Sequence, residues 1–179
     1  MLLAVGVGFG SSASNSLSAF LVRGGVEADL GESGAAALLV VGSILGIGVR
    51  LLFGARADRH PGHTLRFMVG LFAAAAVTFA LLSLEQTAVF IVATPLAFAT
   101  AYAWPGLFHL VVIRSNPSAP GVATGIAMTG TLAGAVGGPI VFGVVAEHGG
   151  YTAAWLSAAG FLVLACALTR LWFPGDYWA

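Results

Sequence analysis

Residues able to do chemistry are sparse in this sequence and fall in three places. The first is a hydroxyl- and amide-rich patch: Ser11, Ser12, Ser14, Asn15, Ser16 and Ser18. Ser11, Asn15 and Ser18 stand at i, i+4 and i+7, on one face of a helix. Such groups hold solutes or neighbouring helices by hydrogen bonds. The second place is Tyr102, Trp104 and His109 around Pro105 and Gly106. A proline interrupts the helix ladder, and freed backbone beside polar and aromatic side chains makes a pocket. The third is the segment 52–64, where Arg56, Asp58, Arg59, His60 and His63 crowd between Gly54 and the Pro61-Gly62 turn.

No catalytic constellation emerges from these groups. A nucleophile needs a base beside it, and the serine patch contains no histidine. His60, His63, His109 and His148 fall on different segments, so neither a triad nor a metal site is expected. The expectation is therefore no enzyme, no catalytic residue, no metal and no cofactor. Cys166 is the single cysteine, inside the last apolar run, and reads as an inert small residue.

The elements that position these residues are set by the solvent. Of the 179 residues 59% are hydrophobic and only 8% are charged, against about 25% charged in soluble domains. A mean hydropathy of +0.98 makes lipid the natural surroundings. The net charge of zero gives no attraction to nucleic acid. Apolar runs predict an all-α membrane protein of six transmembrane helices in one domain. The expected spans are about 1–22, 35–54, 65–84, 88–113, 121–146 and 153–172. Met1 opens directly into an apolar run with no basic stretch ahead of it, so no cleaved signal peptide is expected.

Punctuation supports these boundaries. Ser33, Thr64 and Thr152 are candidate caps for the second, third and sixth helices. The fourth run contains Pro95 and Pro105, so a kink or break is expected there. Gly130, Gly134 and Gly138, followed by Pro139, repeat every four residues and form a close-packing seam, as do Gly42, Gly46 and Gly48. Thr124 and Met128 are candidate pathway-facing groups on the same run. The third helix, poor in polar residues, is expected at the lipid-facing periphery. Tyr151 and Trp155 are expected to mark one interface, and Trp172, Tyr177 and Trp178 the other.

Orientation follows from arginine. Six spans place Arg50, Arg56, Arg59, Arg66, Arg114 and Arg170 on one side and only Arg23 on the other. The positive-inside rule then puts both termini in the cytoplasm. Arg50 is expected to snorkel to the interface or to pair with Asp58.

The order of these motifs resembles the major facilitator superfamily of secondary transporters. Gly54-Ala-Arg-Ala-Asp58-Arg59-His-Pro-Gly62-His63 is similar to the loop motif between the second and third helices of each six-helix half. Gly62 comes one residue late, and His63 replaces the usual Arg or Lys. Gly134-Ala-Val-Gly-Gly138-Pro139 looks like the family's Gly-Pro motif in the fifth helix of a half, and Ala103-Trp104-Pro105-Gly106-Leu107-Phe108 looks like the tenth helix of some bacterial members.

The resemblance implies helices 7–12 of a twelve-helix fold, in a bacterial cytoplasmic membrane, moving small solutes by alternating access. It implies a missing N-terminal six-helix half, or a second copy, as partner. Ser11, Asn15, Ser18, Tyr102, Trp104, His109, Thr124 and Met128 would line the pathway, and Gly54, Asp58, Arg59, Gly62 and Arg50 would form a conformational gate. The acidic residues fall in loops or at helix ends, so a proton-coupling group within this chain would be His109. A non-transporting assembly subunit or relic half-transporter stays open as the alternative.

Overall fold

The computed structural model describes residues 2–172. No strand occurs among them. The helices are α1 (Leu2–Glu27), α2 (Gly31–Arg59), α3 (Thr64–Leu82), α4 (Thr87–Ala101), α5 (Trp104–Ser115) and α6 (Pro120–Trp172), with a 3-10 turn at Pro61–His63 between α2 and α3. α2, α3, the stretch 87–115 and α6 are each long and apolar enough to cross a bilayer. The serine-bearing α1 falls outside that group.

α6 is 53 residues long. At 1.5 Å per residue that is ~80 Å, more than twice a ~30 Å hydrocarbon layer. It is interrupted at Gly150, where φ 78° and ψ 172° leave the helical region. Glycine is the residue that adopts this conformation at little cost. The chain therefore turns there, near the expected boundary but with a one-residue break in place of a loop. Thr152 does not cap the second arm. Its hydroxyl serves the α3–α4 turn, donating to the Ser83 carbonyl (3.2 Å) and to Glu85 (2.9 Å).

The α1–α2, α2–α3 and α5–α6 turns are shorter than the sequence predicts because their helices overrun their apolar cores, whereas α3 ends at Leu82, two residues early. α1 continues past Arg23 to Glu27, and α2 starts at Gly31. The N-cap of α2 is Leu30, without a side-chain bond, and Ser33 lies inside the helix. α3 likewise has His63 at its N-cap, with Thr64 inside. α2 runs through Gly54 to Arg59, so the expected basic loop is mostly helix. Only residues 60–63 turn.

α1 lies chiefly along α6, α3 packs on α6 and α4, and α2 packs on α4. One end of the molecule gathers the α1–α2 turn, the α3–α4 turn and Gly150, tied by Thr87 donating to the Ala28 carbonyl (2.8 Å). The other end gathers the start of α1, the 115–120 turn and Trp172, where Leu3, Asn116, Ala123 and Trp172 line one small cavity.

The core sits between α1, α3, α6 and the 87–112 stretch. Its centre is aromatic: the Trp155 ring is 4.8 Å from Phe142, 6.0 Å from Phe79 and 6.4 Å from Phe90. Trp155 is 0% exposed, so it does not belong to an interfacial aromatic belt. The core took it because a large ring seals the space beside Gly24, where a Cβ would come within 2.9 Å of the indole. Tyr177 and Trp178 lie outside the described residues.

α3 is not simply peripheral. It buries Met68, Phe72, Ala75 and Phe79, while Gly70, Ala73, Ala74 and Val77 form its exposed stripe. The most exposed helix is α2, with Val40, Ile44, Ile47, Leu51 and Leu52 uncovered. Of its glycines, Gly42 and Gly46 press on Phe98, while Gly48 meets nothing within 4 Å.

Candidate functional site: the Pro105 break and the face of α1

Pro105 decides the local structure. In an unbroken helix the N–H of residue 105 would donate to the carbonyl of residue 101, but proline has no N–H. The helix breaks at Tyr102 and Ala103, and the Ala101 carbonyl loses its regular partner. A buried carbonyl without a donor costs free energy. Ser14 on α1 supplies one: its hydroxyl lies 2.7 Å from Ala101 O and 2.9 Å from Gly10 O. Pro95, by contrast, sits inside α4 without ending it.

The break draws further polar groups onto α1. Tyr102 donates its phenol to the Ser14 carbonyl at 2.7 Å. Ser18 bonds the same phenol oxygen. Since the phenol proton is committed to Ser14, the Ser18 hydroxyl is the donor in that pair. Trp104 points its indole N–H at Ser14 Oγ, at 3.4 Å. Ser14 thus joins α1 to both sides of the break. It stood in the serine patch but not in the predicted pathway set. The missing signal was the register of Pro105: the carbonyl four residues earlier needs a donor from another helix.

The predicted pathway residues divide into groups. Ser18 and Tyr102 share this joint. Trp104 belongs to it by its nitrogen only. Its ring is buried against Phe72 (5.4 Å) and Phe108 (6.1 Å). Asn15 folds back on its own helix, donating to Ser11 O (2.9 Å) and Ser11 Oγ (3.2 Å). Ser11 is 3% exposed, whereas Ser18 is open, so the i, i+4, i+7 face rotates from core to surface along α1. The His109 Nδ1–H donates to the Pro105 carbonyl at 2.7 Å. Thr124 bonds Pro120 O at 2.8 Å within its own helix, and Met128 is half-buried nearby.

The predicted gate residues cluster where α2 ends. Gly54, Asp58 and Arg59 lie on the final turns of α2 and Gly62 in the 3-10 turn. Arg56 stands over the Phe67 ring at 5.7 Å. Arg50 and Asp58 do not meet along α2, since eight residues are ~12 Å of rise.

The glycine repeat has one partner. A Cβ at Gly130, Gly134 or Gly138 would overlap the α1 backbone at Ala4, Gly8 or Ser12 respectively, and one at Gly8 would stand 2.9 Å from Gly130 O. Both helices step by four residues, so the contact runs as a continuous backbone-to-backbone seam. Pro139 follows its last member.

Cavities open both apart from the break and beside it. One of about 590 Å³ opens at the Gly150 end, lined by Arg23, Glu27, Glu85, Glu147 and Tyr151 among others. It lies at a mouth of the molecule, away from the Pro105 break. A smaller one of about 170 Å³ lies at mid-height beside Ser18, Ser43, Arg50, Phe98 and Tyr102. Among the described residues, no three His, Cys, Asp or Glu side chains come together as metal ligands.

These features define an integral, multi-pass helical membrane protein with a polar joint inside its helix bundle. The sequence matches the Major Facilitator Superfamily over residues 1–177, and the chain belongs to that family. No curated protein matches it.

Proposed function

We propose that this chain is a six-helix half of a secondary transporter, equivalent to helices 7–12 of a twelve-helix member. The observation that carries the proposal is the family match, which runs through nearly the whole chain. The length of α6 and its break at Gly150 support reading 120–149 and 151–172 as two spans, the fifth and sixth. The half moves small solutes by alternating access, rocking against an N-terminal six-helix half or a second copy. The exposed apolar face of α2 supports such a partner. Arg56, Arg59, Arg66, Arg114 and Arg170 at one end, against Arg23 alone at the other, support cytoplasmic termini.

Asp58 acts as the latch of one conformation. It lies one residue before the end of α2, where the negative pole of the helix disfavours a carboxylate. Its charge is better satisfied by the N-terminus of another helix or by an arginine across the interface. Breaking and remaking that contact accompanies each switch between inward- and outward-open states.

The test places a single cysteine on α1, as Asn15→Cys in a Cys166→Ala background. It is labelled with a membrane-impermeant thiol reagent from each side of oriented vesicles. Labelling is expected from both sides, with a several-fold change in the ratio of the two rates when Asp58→Asn is added. Labelling from neither side, or a ratio indifferent to Asp58, would count against the transporter reading.

A further inference from the structure

Arg50 lies deeper in its helix than a loop residue should. α2 stays apolar for four residues beyond it, as far as Gly54, before the charged turns of Arg56, Asp58 and Arg59, ~6 Å of rise. Its side chain is exposed on the bundle, and a charge inside an apolar helical stretch marks a pathway, a partner or a ligand. Among the described residues Arg50 has no ion pair or hydrogen bond. Asp58, the one acid on its half of α2, is two turns away.

Its surroundings are those of a small binding site. The cavity it lines holds about 170 Å³, the volume of roughly five to six water molecules. Ser18 contributes a hydroxyl, while that of Ser43 donates to the Leu39 carbonyl of its own helix at 2.7 Å. Phe98 and Tyr102, stacked at 5.3 Å with 10° between their planes, form an apolar wall. Gly46 keeps α2 close: a Cβ there would stand 3.2 Å from Phe98 O and 3.5 Å from Tyr102 Cβ. Ser43 and Gly46 fall near the middle of α2, and Tyr102 near the middle of the stretch 87–115. Binding sites of secondary transporters are built at that height.

We infer that this cavity is an oxyanion subsite. Arg50 takes the carboxylate or phosphate of a small solute in its planar fork, Ser18 turns its hydroxyl from Tyr102 to the anion, and the Phe98–Tyr102 stack receives the solute's apolar body. This rests on the transporter reading and adds to it a substrate class, small organic or inorganic anions.

The test uses the full chain with Ser43→Cys and Cys166→Ala in phosphatidylcholine nanodiscs. The introduced thiol is labelled with two methanethiosulfonates of similar size, one carrying a sulfonate and one a quaternary ammonium. Relative to a free thiol, the sulfonate reagent is expected to be favoured. The preference should fall roughly tenfold in Arg50→Gln, on the scale of one nearby charge, and persist in Arg50→Lys. Succinate or inorganic phosphate should slow labelling when Arg50 is present and not in Arg50→Gln. Should Arg50→Gln not fold, the lysine variant and the succinate competition still decide. An unchanged preference without Arg50 overturns the inference. Protection by added phosphatidylglycerol alone, with succinate and phosphate without effect, assigns Arg50 to a lipid headgroup and overturns the solute subsite. Labelling requires no turnover, so a chain that binds but does not transport passes this test and fails the transport reading separately.

Discussion

α1 makes two contacts of opposite kind. Along one face Ala4, Gly8 and Ser12 lie backbone to backbone on Gly130, Gly134 and Gly138 of α6. On another, Ser14 and Ser18 meet the broken helix at Ala101 and Tyr102 through hydroxyls. The seam has no flexible atoms to adjust, since the obstructing groups are main chain. The joint is made of rotatable hydroxyls and a freed carbonyl, which can exchange partners at small cost. A helix carrying both can stay fixed to one neighbour while its polar face changes state. That division fits the proposed transport reading, in which a wall holds together and still moves.

The largest expected effect comes from loading the seam. Gly134→Val places branched carbons against the Gly8 carbonyl. Overpacking of this sort costs about 3 kcal/mol, read as a lower midpoint of thermal unfolding in detergent and poor recovery of monodisperse protein. A stable Gly134→Val variant would mean that the seam is looser than described. At the joint the effect is intermediate. Ser14→Ala leaves the Ala101 carbonyl without its donor, a loss of about 1 kcal/mol on the scale of intramembrane hydrogen bonds. The smallest effect belongs to a glycine outside both contacts. Gly70 on α3 meets nothing within 4 Å. Gly70→Ala should leave stability within about 1 kcal/mol of the parent, on the stabilising side through better helix propensity. A large loss there would erase the distinction between seam glycines and free ones.

Much of this was legible in the sequence, and the failures are informative. The four-residue spacing of Gly130, Gly134 and Gly138 marks a packing seam, because backbones can approach closely only along small residues. The break near Pro105 was equally plain from the missing N–H. What pattern could not supply was the partner: Ser14, Ser16 and Ser18 look alike in sequence, and only Ser14 meets the orphaned carbonyl. Most expected segment ends fall short of the observed helix ends, with α3, which stops at Leu82, the exception. Charged residues at 23–32 and 54–59 read as loop, yet helices run on past the apolar core into polar surroundings, where Glu27, Asp58 and Arg59 are tolerated. Trp155, near a helix start, has the sequence position of an interfacial anchor. Tertiary packing with Phe79, Phe90 and Phe142 overrode that preference.

The central claim is that the proline break and Ser14 are one device, and a double-mutant cycle on Ser14 and Pro105 tests it most directly. In Pro105→Ala the restored N–H can donate to the Ala101 carbonyl, so Ser14→Ala should then cost little. Non-additive unfolding free energies are predicted, with a coupling of about 1 kcal/mol. Strict additivity, with Ser14→Ala equally costly in both backgrounds, would contradict the claim.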